Sequence, residues 1–346
     1  MSCELIDVAD SRWTDALEGT RHDPYHVPNY LRVAAAEEGS RATAFVGRDD
    51  RTSLLVPILL RELPETPPDP RLRCDGESPY GYGSPLLVGK PSAQPAGRLL
   101  TQLQGTANEI GMVSAFLRLH PLLPLPEYFL DGLGTVLTHG PTVYIDLRLS
   151  AEQVWREMRS NHRNDINKLK RKGFLTLHND WDRYQDFVEI YGETMGRVGA
   201  SESYMFSRSY FTELKERLSG TLHLFAAVDS NGCTAAAGLF FERCGIIQYH
   251  LGGTSPEYLP LSPAKLMFDA VRRWGQESGH EILHFGGGVG AREDSLFRFK
   301  AGFGRGRGLY RTARLIFDPT GYDQLVRQRR RRTRSSDPSY FPLYRA

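Results

Sequence analysis

Residues Gly279–Gly304 read GHEILHFGGGVGAREDSLFRFKAGFG. The pattern predicts a buried strand over Glu281–Phe285 that breaks at the triple glycine Gly286–Gly288. Glycine allows sharp turns and a close approach of the backbone to a ligand. Lys300 follows in an apolar run bounded by glycines, where a cation would suit a phosphate or a developing oxyanion. The alternative interpretation is an ordinary strand-to-helix loop with a solvent-facing Lys300.

Length and composition indicate a globular protein of two domains. The chain has 346 residues, of which 40% are hydrophobic and 24% are charged, and its formal net charge is +2. This length exceeds what one ordinary hydrophobic core serves, so two domains are expected. The small net charge excludes a strongly basic protein overall but not local basic patches.

The cysteines indicate free thiols in a reducing compartment. Cys3, Cys74, Cys233 and Cys244 form no CxxC pair and no Cys/His spacing typical of a metal site. The N-terminus is polar, which argues against a signal peptide. No apolar run reaches about 18 residues, so we expect no membrane span and a cytoplasmic location.

A loop rich in Gly, Tyr and Pro, Cys74–Gly89, interrupts the regular patterns of the first 143 residues. It is either a packing corner or a binding loop, and the glycine-flanked Tyr80 and Tyr82 favour binding. Around it, the hydrophobic period predicts two early helices (10–19 and 29–38), a hairpin of strands (41–48 and 53–63), a helix (94–111) and a strand (112–120).

A strongly basic helix opens the second part of the chain. After a strand at Val143–Leu147, Ser150 is expected to cap one helix that runs to Gly173. Its cations are either a solvated face near the helix C-terminus or contacts to a nucleic-acid backbone. The residues expected to contact such a backbone are Arg163, Lys168, Lys170, Arg171 and Lys172.

Further helices and strands follow. The expected helices are 182–199, 207–219 and 264–278, the last capped by Ser262, and the expected strands are 221–229, 233–242, 245–251 and 309–317. In strand 245–251 the side chains alternate, so either Tyr249 or His250 could face a ligand. An arginine-rich tail, Arg327–Arg334, is either a solvated terminus or an anchor for RNA phosphates, the latter through Arg329, Arg330 and Arg331.

The second part, with its βααβββ-loop-αβ…β pattern, resembles the acetyltransferase fold known as GNAT. The segments MRSNHRNDINKLKRKGF, IYGETMGRVGASESYMF, YHLGGTSPEYLPLSPAKLMFDAVRRWGQESG and LHFGGGVGAREDSLFRFKAGFG are similar to the FemABX family. In the first part the resemblance rests on SPYGYGSPL and FLRLHPLLP. It implies an α/β (α+β) fold of tandem GNAT-like acyltransferase domains, 1–143 joined by about 318–346, and 144–317. Only Ser201–Gly220 stands where some members carry a coiled-coil arm, which implies the compact form.

The FemABX family forms peptide bonds without a ribosome, taking amino acids from aminoacyl-tRNA. The resemblance implies that Lys300 is the lysine of the family's FK pair, which lies beside the reacting groups. A carboxylate such as Asp294 or Glu293 could accept the amine proton, or could pair with arginines instead. We expect an acceptor cleft between Tyr80–Tyr82 and the loop before Lys300. The predicted substrate-binding residues are Tyr80, Tyr82, Arg197, Tyr204, Tyr210, Tyr249, His250, Gly287 and Arg298.

The identity of the acyl donor is tested by one segment. GNAT enzymes that use coenzyme A hold its pyrophosphate on a glycine-containing loop before a helix, and here EYLPLSPAK occupies that place. The leading hypothesis is therefore an aminoacyl-tRNA-dependent aminoacyltransferase without a cofactor or metal, acting as a monomer on a small antibiotic peptide or a peptidoglycan precursor. The alternatives are a coenzyme-A-dependent N-acyltransferase and a non-catalytic RNA- or peptide-binding module.

The two basic stretches generate a test by salt dependence. Removing the tail, or reversing charges on the helix at 163–172, should weaken tRNA binding and flatten its salt dependence by roughly one unit of log–log slope per lost phosphate contact. Filter binding across a salt series measures the slope. An unchanged slope in both variants would show that these charges are solvated surface only.

Overall fold

A computed structural model describes residues 3–49, 52–63, 69–89, 91–132, 134–332 and 340–346. The chain divides into two compact units, unit 1 (Met1–His139 with Tyr310–Ala346) and unit 2 (Gly140–Leu309). The sequence placed these boundaries at 143/144 and about 317/318. In the structure both divisions fall inside continuous strands, where no loop or change of composition signals them.

Both units contain helices and strands. In chain order they are β1 (Cys3–Asp7), α1 (Ser11–Leu17), α2 (Pro28–Glu38), β2 (Arg41–Asp49), β3 (Thr52–Glu62), β4 (Cys74–Glu77), β5 (Leu86–Gly89), α3 (Ala93–Glu109), β6 (Met112–Leu119), α4 (Glu127–Leu130), β7 (Thr135–Asp146), α5 (Ala151–Glu157), α6 (Ser160–Arg171), β8 (Leu175–His178), α7 (Tyr184–Val198), α8 (Arg208–Arg217), β9 (Leu222–Val228), β10 (Thr234–Arg243), β11 (Ile246–Thr254), α9 (Ala264–Glu277), β12 (Ile282–Gly286), α10 (Ser295–Lys300), β13 (Gly306–Ile316) and α11 (Pro319–Arg332). The described helices include none that is both long and apolar enough to cross a membrane.

Both units repeat one topological feature within their sheets. In unit 1 the strand order is β1-β2-β3-β4-β6-β13, with β5 on β3, and in unit 2 it is β7-β12-β11-β10-β9-β8. Each sheet contains one parallel pair among its described pairings, and a helix joins the two strands of that pair: α3 lies between β4 and β6, and α9 between β11 and β12. A parallel pair requires such a crossover, and its repetition shows that the two units share a plan.

Aromatic side chains dominate the core of unit 2. Phe268, from the buried face of α9, contacts the rings of Phe240, Phe285 and Phe303 at 5.0–5.8 Å, each in an edge-on arrangement. All four side chains are buried. Because α9, β12 and the chain after α10 each contribute a ring, this cluster fixes the glycine-rich segment against the sheet.

The predicted basic helix at 151–173 is wrong as a single element. The chain leaves the helix at Met158 and Arg159, which have extended backbone angles, and α6 begins at Ser160. The reason is tertiary, because the Arg159 N–H donates to the carbonyl of Gly302 at 2.9 Å instead of continuing the helix. The predicted cap at Ser150 is confirmed, since its hydroxyl accepts from the Gln153 N–H at 3.2 Å.

Two further local expectations differ from the structure. Ser262 does not cap α9 with its side chain; it adopts φ +54°, and its carbonyl accepts the N–H of Lys265. Strand β11 is longer than predicted, because Gly252–Thr254 pair with residues of β10 instead of forming a loop. All four cysteines are free thiols, and Cys3 and Cys74 are buried.

Two glycines give a matched test of this packing. A side chain on Gly253 in β11 would meet Thr194 Oγ1 at 2.6 Å and the Ile190 carbonyl at 2.7 Å, whereas one on Gly192 in α7 meets nothing. Gly253→Ala should therefore lower the free energy of unfolding by about 1–3 kcal/mol, and Gly192→Ala should raise it by about 0.5–1 kcal/mol. Urea denaturation measures both values, and equal effects in the two variants would contradict the packing of α7 on β11.

Candidate functional site

The site begins where β11 and β12 part. They pair over three residues only, Ile246–Gln248 with Ile282–His284. Beyond this point β11 stays with β10 as far as Thr254, while β12 shifts its register against β7 between His284 and Gly286. The parting leaves the backbone around Tyr249 and Gly286 without a strand partner on one side, which opens a place for other groups.

The triple glycine turns the chain away from β12 at this opening. Gly286 has φ +76°, a conformation that favours glycine. At Gly288 a side chain is excluded, because a Cβ atom would lie 2.1 Å from the Arg292 carbonyl and 2.4 Å from Asp294 Oδ1. The sequence pattern of three glycines thus has a geometric reason, a sharp turn that closes on the start of α10.

Lys300 lies at the last turn of α10 and reaches back to this turn. Its Nζ donates to the Gly287 carbonyl at 2.7 Å and lies 5.8 Å from the centre of the Tyr249 ring. Lys300 is 8% exposed, so the expectation of a solvent-facing lysine is wrong. An ammonium that donates to one carbonyl and contacts one aromatic face still has two N–H donors to offer a ligand.

Burial lowers the pKa of Lys300 to about 8, and the charge of Asp294 opposes that shift only in part. At neutral pH the amine is therefore mostly protonated. A pKa this close to neutrality is typical of lysines at functional sites, because the same burial that disfavours the charge also strengthens its interaction with an anion.

Asp294, one of the two carboxylates that could accept the amine proton, caps α10 with its side chain. Its carboxylate accepts the N–H of Phe297 at 2.8 Å and that of Val289 at 3.0 Å. Burial raises the pKa of Asp294, but these N–H donors outweigh it and lower the pKa below its usual value. A carboxylate held in this way caps α10 and closes the glycine turn.

Arg298 and Glu293 project away from this arrangement. Arg298 is exposed, and its guanidinium lies 3.4 Å from the Glu293 carbonyl oxygen. The Arg298 carbonyl accepts a hydrogen bond from Arg159 at 3.2 Å. The structure therefore brings Lys300, Gly287 and Tyr249 together and places Arg298 on the surface of α10.

Tyr249 and His250 lie on opposite faces of β11, as alternation requires. Tyr249 packs on Phe240 and Phe268 on the face that carries Lys300. His250 is buried on the other face, where its Nε2 and the Tyr210 hydroxyl are 2.9 Å apart. Tyr249 therefore lies beside Lys300, whereas His250 and Tyr210 form a buried pair on the other face of β11.

A buried polar chain that sequence analysis missed crosses three strands behind the opening. His284 Nε2 lies 2.9 Å from Thr142 Oγ1, and His284 Nδ1 lies 2.7 Å from Gln248 Oε1. Gln248 in turn donates to the Tyr249 carbonyl at 3.1 Å. All three side chains are almost fully buried. The sequence signal for this chain was the presence of polar residues inside otherwise apolar strands. Buried polar groups that are fully hydrogen-bonded fix the register of the strands that carry them.

Arg197 and Tyr204 lie at the far end of β11 in a different environment. Arg197 is exposed and donates to Thr194 Oγ1 and to the Thr254 carbonyl at 3.2 and 3.3 Å. Tyr204 is 36% exposed, and its carbonyl accepts from the Tyr191 hydroxyl at 2.8 Å.

The predicted binding loop of unit 1 is fixed by a hydrogen bond and by aromatic contacts. The Tyr30 hydroxyl donates to the Tyr80 carbonyl at 2.8 Å. The ring of Tyr82 lies edge-on to Tyr25, His120 and Tyr310 at 5.6–6.1 Å. Tyr80 and Tyr82 are partly exposed and belong to unit 1, whereas Lys300 belongs to unit 2. The acceptor cleft between the two segments stays a prediction.

The basic residues of α6 are mostly solvent-exposed. Lys168, Arg171 and Lys172 are exposed, and Arg163 is partly buried. Lys170 is already paired, since its Nζ lies 3.1 Å from Asp269 Oδ2. Four of the five residues are thus available to a polyanion, and Lys170 is the member whose charge is largely neutralised.

The tail arginines continue α11. Arg330 and Arg331 are exposed, and Arg329 donates to the carbonyl of Ala346 at 3.0 Å. Arg334 lies outside the described residues. Because Tyr344 is buried in unit 1, deleting the whole tail would also remove core contacts, and charge reversal at Arg330 and Arg331 is the cleaner test of RNA binding.

The start of α9 offers few donors for a phosphate. The N–H of Lys265 is bonded to the Ser262 carbonyl, and those of Leu266 and Met267 are bonded to Pro263. Pro260 and Pro263 carry no N–H. Within the described residues no group of three or more His, Cys, Asp or Glu side chains is arranged to hold a metal ion.

The buried ammonium generates a test of stability against pH. Lys300 loses its proton near pH 8 in the folded chain and near 10.5 when unfolded, so between these values the unfolded state binds more protons. The free energy of unfolding of the wild type, relative to Lys300→Met, should therefore rise by up to about 3 kcal/mol from pH 8 to 10.5. Denaturation of both proteins across this range measures it, and a constant difference would contradict a buried ammonium.

Residues 156–300 match the family model described as acetyltransferase (GNAT) domain. No curated protein sequence matches the chain. FemX is similar in structure, with a TM-score of 0.68 and 14% identity over 91% of this chain and 97% of FemX.

Two other solved structures are also similar. The C-terminal DUF2156 domain of a protein described as a lysylphosphatidylglycerol synthetase from Agrobacterium fabrum has a TM-score of 0.54 and 14% identity, over 88% of this chain and 90% of that one. L-PGS from Bacillus licheniformis has a TM-score of 0.52 and 15% identity, over 84% and 92%. Identities this low establish a shared fold. The chain therefore shares its fold with FemX, and residues 156–300 of its second unit form a GNAT acyltransferase domain.

Proposed function

We propose that this protein is an aminoacyltransferase that takes an amino acid from aminoacyl-tRNA and joins it to the amine of a small peptide. The observation that carries the proposal is the buried Lys300 ammonium at the parting of β11 and β12, held by the Gly287 carbonyl and the Tyr249 ring. A fixed cation in a water-poor site is the group that acyl transfer needs at its developing oxyanion.

The reaction needs few other catalytic groups from the protein. The neutral amine of the acceptor attacks the ester carbonyl, a C–N bond forms, and the carbonyl oxygen becomes an oxyanion that the two remaining N–H donors of Lys300 can stabilise. The C–O bond to the tRNA ribose then breaks, and the amine proton passes to the departing ribose oxygen. Because the ester is already activated, orientation supplies much of the rate.

The donor is inferred from the start of α9. Coenzyme A would place its pyrophosphate on free N–H groups there, but those of Lys265, Leu266 and Met267 are bonded to the preceding turn. The exposed cations of α6 supply an alternative surface for the phosphates of tRNA. The similar structure from Agrobacterium fabrum is described as a synthetase whose product, lysylphosphatidylglycerol, carries an aminoacyl group.

A coenzyme-A-dependent N-acyltransferase is the second candidate. The match of residues 156–300 to an acetyltransferase domain favours it. Both candidates share the acyl-transfer step at Lys300 and differ only in the group that leaves. For the acceptor, we propose a peptide amine of an antibiotic peptide or of a peptidoglycan precursor, and the reaction is placed in the cytoplasm, where charged tRNA is present.

The donor is tested with a pool of charged tRNA and a set of small peptides. Transfer of radiolabelled amino acid to a peptide should require intact tRNA and should vanish after RNase treatment. Transfer from acetyl-CoA that survives RNase would establish the second candidate instead. Binding of tRNA or peptide without transfer from either donor would indicate a non-catalytic module.

Lys300 is tested by substitution. Lys300→Ala should lower kcat on the order of 10²–10³-fold, as for the loss of one oxyanion donor. Lys300→Arg should also lower kcat/KM, because a planar guanidinium does not reproduce a compact ammonium. In the wild type kcat should fall above about pH 8, where Lys300 loses its proton, and any residual activity of Lys300→Arg should lack this fall.

The matched control is Lys215→Ala in α8, which removes a lysine that lies 5.3 Å from the centre of the Trp181 ring and 5.1 Å from that of Tyr184. Its activity should equal that of the wild type. Wild-type kcat in Lys300→Ala, with an unchanged melting temperature, would remove Lys300 from the mechanism. A rise in KM alone would show that Lys300 binds the ground state and does not stabilise the oxyanion.

A further inference from the structure

A second cation, Arg118 of β6, stands at the corresponding parting of strands in unit 1. The parallel pair of β4 and β6 ends at Glu77 and Phe116. Beyond it, the Ser78 hydroxyl accepts the Arg118 N–H at 2.9 Å, and the Arg118 guanidinium donates to the Ser78 carbonyl. The guanidinium also lies 5.2 Å from the centre of the Phe116 ring. These contacts fix the orientation of the Arg118 side chain, which is partly buried.

The neighbouring carboxylates are already committed to other arginines. Arg61 lies 2.8 Å from Asp75 and 3.0 Å from Glu77, and Arg345 lies 2.6 Å from the second oxygen of Asp75. Glu77 acts on Arg118 through its field, yet no carboxylate of the described residues comes within 4.0 Å of the Arg118 guanidinium. Arg118 is thus the member of this arginine cluster that lacks an ion-pair partner in the described part of the chain.

The arginines and carboxyl groups of this cluster are not evenly paired. Of the three arginines Arg61, Arg118 and Arg345, only Arg61 and Arg345 lie within ion-pair distance of Asp75 or Glu77 among the described residues. A third carboxyl group belongs to Glu38, a partly exposed residue. Partial desolvation of this carboxyl group and, to a smaller extent, repulsion from Glu77 raise the pKa of Glu38. A raised pKa disfavours the charged form of Glu38, and Arg118 stays without a carboxylate within ion-pair distance among the described residues.

Burying a cation without a partner is costly unless a ligand supplies the opposite charge. A planar guanidinium matches the two oxygens of a carboxylate. The nearby negative charge of Glu77 tolerates a singly charged carboxylate better than a phosphate dianion, because like-charge repulsion grows with ligand charge. Tyr310 also interacts electrostatically with Arg118. Its ring centre lies 5.7 Å from that of Tyr82 in the glycine-rich loop, so the two rings form an aromatic surface beside Arg118.

We propose that Arg118 binds the C-terminal carboxylate of a peptide, with Tyr82 and Tyr310 beside it. The assignment of this peptide as the acceptor rests on the proposed function. The carboxylate site itself rests only on the contacts and charges of unit 1. Arg118 is a binding residue in this assignment, and it takes no part in bond formation.

The test measures binding to the full-length protein without any acyl donor. Isothermal titration or NMR line broadening compares alanyl-alanine with its C-terminal amide, and inorganic phosphate serves as a competing anion. The dipeptide should bind, and the amide should bind at least about tenfold more weakly, since a charge-assisted hydrogen bond is lost. Arg118→Gln should abolish the preference for the acid, and Arg118→Lys should retain part of it.

Arg314→Gln is the matched control. Arg314 is another arginine of unit 1 over an aromatic ring, 5.5 Å from the centre of the Phe341 ring, so this variant tests the loss of a stacked guanidinium as such. It should bind the dipeptide as the wild type does. If Arg118→Gln does not fold, phenylglyoxal labelling of the wild type replaces it, and alanyl-alanine should protect Arg118 while the amide should not.

Three results would overturn the site: equal binding of acid and amide, no binding of the dipeptide, or displacement of the dipeptide by phosphate at lower concentration than by acetate. The outcome is separable from that of the proposed function. Aminoacyl transfer to a peptide amide with an unchanged KM would refute the carboxylate site alone. Carboxylate-selective binding without transfer from any donor would refute the transferase alone.

Discussion

The parting of β11 and β12 is the constraint on which the candidate site depends. Two parallel strands that separate must leave backbone carbonyls and N–H groups without ladder partners, and such groups need another partner when they are buried. Here the Gly287 carbonyl receives the Lys300 ammonium. The chain buries a charge to do this, and the cost is visible in the pKa of Lys300, which burial lowers to about 8. The opening and its cation therefore belong to one arrangement.

The buried core makes that arrangement rigid. Phe268 and Phe303 pack beneath the turn, and the chain Thr142–His284–Gln248 fixes the strands on the opposite side. The buried side chains of Thr142, His284 and Gln248 are hydrogen-bonded in series. A slip of β11 against β12 would therefore break these bonds and leave buried polar groups unsatisfied. The position of the Gly287 carbonyl relative to Lys300 is thus set by contacts within the buried core.

Unit 1 repeats the topology with different chemistry. Its parallel strands also part after a few pairs, but the opening holds Ser78 and Arg118 and continues into a loop of tyrosines. A guanidinium there suits a planar anion, whereas a compact ammonium in unit 2 suits an oxyanion. One backbone plan, used twice, can therefore serve two different steps of recognition and chemistry.

Local sequence signals predicted the elements whose stability is local. The hairpin of β2 and β3 is confirmed with Arg41 opposite Leu60, and Gly173, with φ +81°, ends the basic helix as expected. The predictions failed where a distant residue competes with the local pattern. Arg159 donates its N–H to the Gly302 carbonyl and so breaks a helix that the neighbouring residues favour.

By itself, the sequence determined that a lysine follows a glycine-broken strand in an apolar run, and that Tyr249 and His250 must point in opposite directions. Only the tertiary structure decided which of the two meets Lys300, because alternation defines two faces of a strand without saying which one packs against α9 and α10. It also decided that Lys300 is buried, since burial depends on Tyr249 and Gly287, residues that lie far from it along the chain and close to it only after folding.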